Sequence, residues 1–502
     1  MKWNEAIATA CITELSGSQE VEVFGVHYDS RRVKYGDIFV AMRGGTTDGS
    51  RYIDGAISKG ALAVVTDSRV TFTNLSRSCP ELTLALATNG RRALAEISSM
   101  IYGQPQRRLL TSGVTGTNGK TTTTCILENL LASAGMQCIL FGTIENHVAS
   151  QKRESEHTTP ESRDLISVFS EGIERGCSEA IIEISSHAIS QERIWGLPLD
   201  VAIITNLSQD HLDYYGTMEA YTQAKEKIFA GIGAMAPRIA IINADDVAAE
   251  RMIAAASHCQ VLTYGILGGD WRAVDIMMRA GITEFRLQTP IGEMLLQSPL
   301  VGHINIYNLL AAACAAYVLG CTLEQIDKAT MSLKHAPGRF EIVPGSQDKD
   351  FTVVVDYAHT EDAIRNLILI ARSLEYVSDR HVITMFGCGG DRDPSKRPKM
   401  GRVAGSESDL VIVTTDNPRS EDPIVIIEAV IVGVASTDTA FVVEADRHAA
   451  ICIALRAAKQ GDIVLLAGRG HESNQIFSEY SIRFHDVEHA ALLLKKLRGK
   501  VQ

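Results

Sequence analysis

The chain has 502 residues, 45% apolar and 22% charged, a length that predicts roughly three domains and a composition that excludes disordered and collagen-like classes. Its 48 Lys and Arg stand against 60 Asp and Glu, a formal charge of −12. That balance excludes a general nucleic-acid binder, which neutralises phosphates with a basic surface, and leaves room for a local basic pocket. No apolar run reaches the roughly 18 residues that span a bilayer, and the N-terminal stretch does not read as a secretory signal. The ten cysteines contain no C-x-x-C pair and read as reduced core residues of a cytoplasmic protein rather than a disulfide frame or zinc site.

Over the first hundred residues, VEVFGVHYD, GDIFVAM and ALAVVTD read as strands and YIDGAISKG as a helix, a small α/β unit. YGQPQRR reads as a linker. LLTSGVTG, CILFGT, EAIIEIS, DVAIITNLS and RIAIINADD are apolar runs of strand length with helical stretches such as SRDLISVFSEGIERG between them. They predict a parallel sheet covered by helices on both faces. NIYNLLAAACAAYVLG predicts a strong helix. A third block repeats the βα pattern through FTVVVDYA, HVITMFGCGG, DLVIVTTDNP, AFVVEADR and DIVLLAGRG. PIVIIEAVIVGVAS is β-branched enough to read as strand, yet its place between two strands predicts a helix. The fold class expected is α/β in three domains: a small α/β domain over 1–105, a P-loop ATPase-like parallel sheet over 106–336 and a Rossmann-like domain over 337–502.

Gly113-Val-Thr-Gly-Thr-Asn-Gly-Lys-Thr121 follows a strand and opens a helix. Such a loop wraps backbone N–H groups around phosphates at a helix N-terminus, Lys120 reaching the β/γ-phosphates and the Thr121 hydroxyl a magnesium ion. It departs from G-x-x-x-x-G-K-T only in having Val114 at the first glycine position. Glu183-Ile-Ser-Ser-His187 and Asn206-Leu-Ser-Gln-Asp-His211-Leu-Asp213 follow other strands, so all three clusters can converge at one sheet edge. Glu183 could complete a magnesium site with Thr121, or be a solvated loop carboxylate.

TGTNGKTTT, EISSH, TNLSQDHLD, YTQAKEKIF, GHINIYNLLAA, HAPGRFE, VVDYAHTEDA and TTDNPRSEDP together resemble the Mur ligases, which build the peptide of the bacterial cell-wall precursor. The resemblance covers nearly the whole chain, from Asp29-Ser-Arg31 to Gly468-Arg-Gly-His-Glu472. It implies a cytoplasmic, monomeric amide ligase of peptidoglycan synthesis. The N-terminal domain would hold the UDP end of the substrate, the central domain ATP and magnesium, and the C-terminal domain the incoming amino acid. By resemblance, Gly116, Thr117, Asn118, Gly119, Lys120, Thr121, Thr122, Asn305, Asn308, Arg339, Asp356, Tyr357 and His359 take ATP. Thr121 and Glu183 hold one magnesium ion; His211 and a carbamylated Lys225 serve a second. Lys120, Glu183, His211 and Lys225 form the catalytic set. Ser30, Thr158, Thr159, Ser185, Gln191 and Arg193 line the path of the UDP-muramoyl dipeptide. Residues 44–50 depart from the family pattern, and no UDP contact is assigned to them.

Asp416-Asn-Pro-Arg419 resembles the tetrad of family members that take meso-diaminopimelate; those taking L-lysine usually lack the arginine. With Arg392, Asp416, Asn417, Gly468 and Glu472, Arg419 would form the pocket for the amino acid, its guanidinium binding the distal carboxylate that lysine lacks. The implied reaction joins meso-diaminopimelate to UDP-N-acetylmuramoyl-L-alanyl-D-glutamate with ATP as co-substrate, through an acyl phosphate. The alternatives are ligation of L-lysine, a folylpolyglutamate-synthetase-like ligase, and an NTP-dependent regulator that ligates nothing.

Overall fold

The computed structural model describes residues 1–44, 47–279, 282–346, 350–374 and 381–498. Within the 44–50 loop, residues 45 and 46 lie outside it. Three main sheets succeed one another along the chain. The first has five strands in the order Ile12–Ser16, Thr83–Ala87, Ala63–Thr66, Asp37–Ala41, Gly25–His27, parallel except for the first. The strand expected over 21–29 is confined to Gly25–His27. The reason is local: Trp3 N donates to Val21 O and Val23 N to Met1 O, both at 2.9 Å, so residues 21–23 pair with the chain start instead.

The second sheet has eleven strands. Its parallel centre runs Gln260–Gly265, Ile239–Asn243, Val201–Ile204, Leu110–Thr115, Glu179–Glu183, Cys138–Phe141. Ile239–Asn243, Val201–Ile204 and Glu179–Glu183 are buried along their whole length, as continuous apolar runs require in a sheet covered on both faces. The five runs expected to form a parallel sheet do so, and further strands extend the sheet at both ends. The antiparallel hairpin Glu145–Val148/Gln151–Glu154 extends one side; on the other, Trp271–Arg279 joins Gln260–Gly265 in parallel and is followed by Ile282–Thr289 and Gly292–Ser298, each antiparallel to the strand before it. These strands alternate: Thr283, Phe285 and Leu287 are buried while Ile282 and Arg286 face solvent. Only antiparallel sheets commonly leave one face wet. The Ala-rich helix His303–Val318 lies in the core with the helix Lys120–Ser133, and small side chains let the two approach closely.

The third sheet is Glu341–Ile342, Thr352–Asp356, Ile463–Ala467, Val382–Phe386, Leu410–Val413, Ala440–Val443, parallel apart from its first strand. The β-branched segment is a helix, Pro423–Val434. Pro423 occupies the first turn, the Asp422 carboxylate caps Ile424 N at 2.8 Å, and Ile426, Ile427, Val430 and Val434 are buried. Cap, proline and one apolar face override residue propensity. Among the described residues no helix is long and apolar enough to cross a membrane.

One buried carboxyl makes this fold pH-sensitive. Glu179 opens the strand beside the phosphate-loop strand and is 4% exposed; its Oε2 has no hydrogen-bond partner. Burial, reinforced by Asp200, pushes its carboxyl up to about 7 from 4.5. Between those two values the folded protein keeps a proton that the unfolded chain has released. Stability therefore falls as pH rises through this window and stays lower above it. Glu179→Gln is expected to raise the melting temperature at pH 8, corresponding to about 1–2 kcal/mol after discounting for partial solvation, with no gain at pH 4. An equal gain at both pH values would refute the ionisation argument.

Candidate active site

The phosphate loop leaves its strand at Gly116 and enters the helix at Lys120. Gly116 and Gly119 take φ values of 143° and 86°. A Cβ on Gly116 would lie 1.9 Å from Thr205 Oγ1, and one on Gly119 2.4 Å from Asn308 Oδ1, so only glycine fits either position. The loop is held from the next strand end. Asn206 Oδ1 accepts from Asn118 N (2.9 Å), Asn206 Nδ2 donates to Asn118 O (3.0 Å), and Thr205 Oγ1 donates to the same carbonyl (2.6 Å). Thr117 Oγ1 bonds Ser208 O at 3.1 Å. Lys120 Nζ folds back onto Gly116 O and Thr117 O, both at 3.0 Å, and burial lowers the pKa of its ammonium.

Glu183 stands opposite Val114 in the parallel register, at the end of the neighbouring strand. It has no exposed surface. Its Oε2 accepts from the Thr121 and Thr143 hydroxyls, both at 2.9 Å, and its Oε1 from Thr143 N at 2.8 Å. Thr121 and Glu183 thus present adjacent hard oxygen donors at the phosphate loop, a donor set that fits magnesium. His211 sits at a φ of 55° after Asp210, and burial pulls its imidazole down to about 3. Lys225, on the helix Met218–Ala230, is 1% exposed. Its Nζ donates to Gly116 O (2.9 Å) and Thr115 Oγ1 (3.4 Å). Burial, then the Lys120 cation, hold its amine well below the usual lysine value. Among the described residues no group of three or more His, Cys, Asp or Glu side chains could hold a metal. A bare amine at Lys225 does not fit a second ion; a carbamate there would.

One cleft gathers Lys120 and Thr121 with Thr158, Thr159, Ser185, Arg193, His211, Arg339, Tyr357, His359 and Arg392. Arg193 Nη1 donates to Thr159 O (3.0 Å) and its Nη2 to Gln191 Oε1 (2.9 Å). Gln191 itself lines an adjoining cleft with Arg43, Asn89 and Arg91. Ser30 is not among the residues lining either cleft. It lies in the turn where Asp29 pairs with Arg31. A further hollow beside the phosphate loop holds Asn118, Thr122, Asn305, Asn308, Arg339 and Asp356. Both Asp356 oxygens accept from backbone, Phe340 N and Ala358 N, each at 2.7 Å, and Arg339 lies 4.6 Å over the Tyr357 ring.

The last cluster forms at the carboxyl ends of Leu410–Val413 and Ile463–Ala467. Asn417 Nδ2 donates to Glu472 Oε2 and Asn417 N to Asp416 Oδ1, both at 2.6 Å. Gly468 N donates to Asp356 O at 3.1 Å. Arg419 Nη1 donates to Gly390 O at 2.6 Å, and Arg392 Nη1 to Asp391 O at 3.0 Å. Burial, then Asp416, raise the carboxyl of Glu472 above its usual range.

Several residues escaped sequence reading. Thr143 is one, and the end of the CILFGT strand run was its only signal. Asn206 and Asp210 lay inside a quoted motif without an assigned role. Asp210 is buried between His359 (3.8 Å) and Lys396 (3.7 Å). Burial pushes its carboxyl up, but the neighbouring His359, His211 and Lys396 hold it well below the usual range.

Family models match three stretches: "Mur ligase family, catalytic domain" over residues 22–100, "Mur ligase middle domain" over 114–316 and "Mur ligase, glutamate ligase domain" over 338–470. A protein of Solibacter usitatus named UDP-N-acetylmuramoyl-L-alanyl-D-glutamate--2,6-diaminopimelate ligase is 43% identical over 95% of this chain and 94% of its own length. A Listeria monocytogenes protein of the same name is 37% identical over 99% of this chain and 100% of its own. A solved structure under that name superposes with a TM-score of 0.68 at 30% identity, covering 99% of both chains. The Thermotoga maritima MurF ligase with ADP shares the fold, with a TM-score of 0.65 at 20% identity over 95% of this chain and 98% of its own.

Proposed function

We propose, from the premise that this chain belongs to the Mur ligase family, that it joins meso-diaminopimelate to a carboxylate of UDP-N-acetylmuramoyl-L-alanyl-D-glutamate while cleaving ATP to ADP and phosphate. The observation that carries the reading is the meeting, in one cleft, of the phosphate loop, Thr158, Thr159 and Arg193, and Arg392 of the amino-acid cluster. Residues 1–105 would hold the UDP end, 106–336 ATP, and 337–502 the amino acid. Both nucleotide substrates suit the cytoplasm.

Lys120 turns from its own loop carbonyls to the terminal phosphates, where its charge offsets the repulsion between triphosphate and attacking carboxylate. Thr121 and Glu183 would hold one magnesium ion, and His211 with carbamylated Lys225 a second; bound there, the ions would neutralise phosphate charge. Asn118, Thr122, Asn305, Asn308, Arg339, Asp356, Tyr357 and His359 orient the nucleotide. Arg193, Thr158, Thr159, Ser185 and Gln191 line the path that brings the substrate carboxylate in line with the γ-phosphate. Its oxygen bonds phosphorus and ADP leaves, giving an acyl phosphate. The free amine of the amino acid then attacks the acyl carbon, an amide forms, and phosphate departs. Glu472 pairs with the distal ammonium and Arg419 with the distal carboxylate.

The test is ADP release with UDP-N-acetylmuramoyl-L-alanyl-D-glutamate, offering meso-diaminopimelate or L-lysine in parallel. Turnover with meso-diaminopimelate alone is expected. Turnover with lysine would keep the ligase and sink the pocket assignment, and ATP binding without turnover on either would sink the ligase.

A further inference from the structure

Arg469 belongs to none of the roles above, yet it is the more demanding of two fully buried arginines beneath the amino-acid cluster. It has no exposed surface. Its Nη2 donates to Asn474 O (2.7 Å) and Phe484 O (3.0 Å). Its Nε and Nη1 are buried with no hydrogen-bond partner. A guanidinium so placed is strongly unfavourable unless an anion answers it. The other buried arginine, Arg447, already engages both oxygens of Asp486. The carboxylate facing the open Nε is Glu472, whose Oε2 lies 3.9 Å away.

Glu472 needs such a partner. It shares its surroundings with a second buried carboxylate, Asp416, and among the described residues only the Asn417 amide donates to it, at 2.6 Å. Two adjacent carboxylates in a dry site resist ionising together. A neutral Glu472 could not pair with an ammonium group.

We propose that Arg469 is a positioning residue of the amino-acid pocket: its buried guanidinium keeps Glu472 anionic and aimed at the ammonium of the incoming diaminopimelate. Arg469 touches no substrate and acts only through Glu472. The proposal rests on the reading of Glu472 given above, and the experiment separates the two.

Initial rates are measured against meso-diaminopimelate, with ATP and the UDP-dipeptide saturating, for the wild type, Arg469→Gln, Arg469→Lys, Glu472→Gln and the double glutamine variant. Arg469→Gln should raise KM for diaminopimelate about tenfold with kcat within about twofold of wild type. Arg469→Lys keeps the charge and should restore most of the affinity, and the double variant should be no worse than Glu472→Gln alone. A double variant whose KM is the product of the two single effects would mean that Arg469 only staples the 474 and 484 carbonyls, and would overturn the proposal while leaving Glu472 as the ammonium ligand. An unchanged KM in Glu472→Gln would overturn the ligand reading and this proposal with it. If Arg469→Gln does not fold, Arg469→Lys decides: a wild-type KM supports a charge acting through Glu472, and a tenfold rise supports stapling.

Discussion

Replacing Lys225 by methionine is expected to lower kcat by about 10³-fold while the protein stays folded. The side chain is 1% exposed, and its neighbours are a main-chain carbonyl, a threonine hydroxyl and, beyond them, the Lys120 cation. Among the described residues no carboxylate is bonded to it. An ammonium there would be both desolvated and repelled, so the uncharged amine is favoured, and that form is the one that adds to carbon dioxide. The amine nitrogen bonds the carbon, a proton leaves, and a carbamate with one negative charge shared over two oxygens remains near Lys120. The half-buried Lys120 cation then has an anion near it, and an oxygen ligand of the kind magnesium prefers stands next to the phosphate loop. Methionine fills similar volume without the amine, so the loss of activity should come without a lower melting temperature.

The bland alternative is that Lys225 merely braces the phosphate loop through Gly116 O. It predicts weaker nucleotide binding, a modest change in kcat and indifference to carbon dioxide. The carbamate predicts that wild-type activity falls in carbon-dioxide-depleted buffer and returns with bicarbonate. It also predicts a ¹³C carbamate resonance from labelled bicarbonate, absent from Lys225→Met.

The strands of the two larger sheets were legible because burial on both faces leaves unbroken runs such as Val201–Ile204 and Ile463–Ala467. The meander over 271–298 was less so, because its alternation stands beside stronger apolar signals. At the site, the Gly-Lys-Thr step and Glu183 could be placed because both end strands whose carboxyl edges share a sheet. Thr143 could not: nothing in CILFGT announces that its backbone and hydroxyl both bind Glu183, 40 residues away along the chain. Arg469 lay inside the quoted Gly468–Glu472 motif, but its burial and its two open N–H groups are properties of packing. Motifs mark the groups that meet substrate. The residues that hold those groups are scattered, and only the fold brings them together.

Replacing Arg419 by glutamine is expected to collapse the preference for meso-diaminopimelate over L-lysine by about 10²-fold in kcat/KM, since a charge-assisted hydrogen bond contributes roughly 1.5–3 kcal/mol. Arg419 is held at a φ of 52°, its N bonded to Ile476 O at 3.1 Å and its Nη1 to Gly390 O at 2.6 Å. Arg392 approaches the same loop: a Cβ on Gly389 would lie 2.9 Å from Arg419 Nη1 and 3.9 Å from Arg392 Cγ. The Arg419 guanidinium and the Arg392 side chain, from different loops, thus both lie beside Gly389, where the proposed reading puts the distal carboxylate. Diaminopimelate supplies that carboxylate. Lysine does not, and its terminal ammonium leaves both arginines unanswered, so rejection of lysine is repulsive as well as a lost contact. The loss in Arg419→Gln should therefore show as a higher KM for diaminopimelate together with a lower KM for lysine. A fall confined to diaminopimelate would mean attraction without repulsion. An unchanged ratio in Arg419→Gln beside a collapsed one in Arg392→Gln would move the distal carboxylate to Arg392 and leave Arg419 as the residue that fixes the turn.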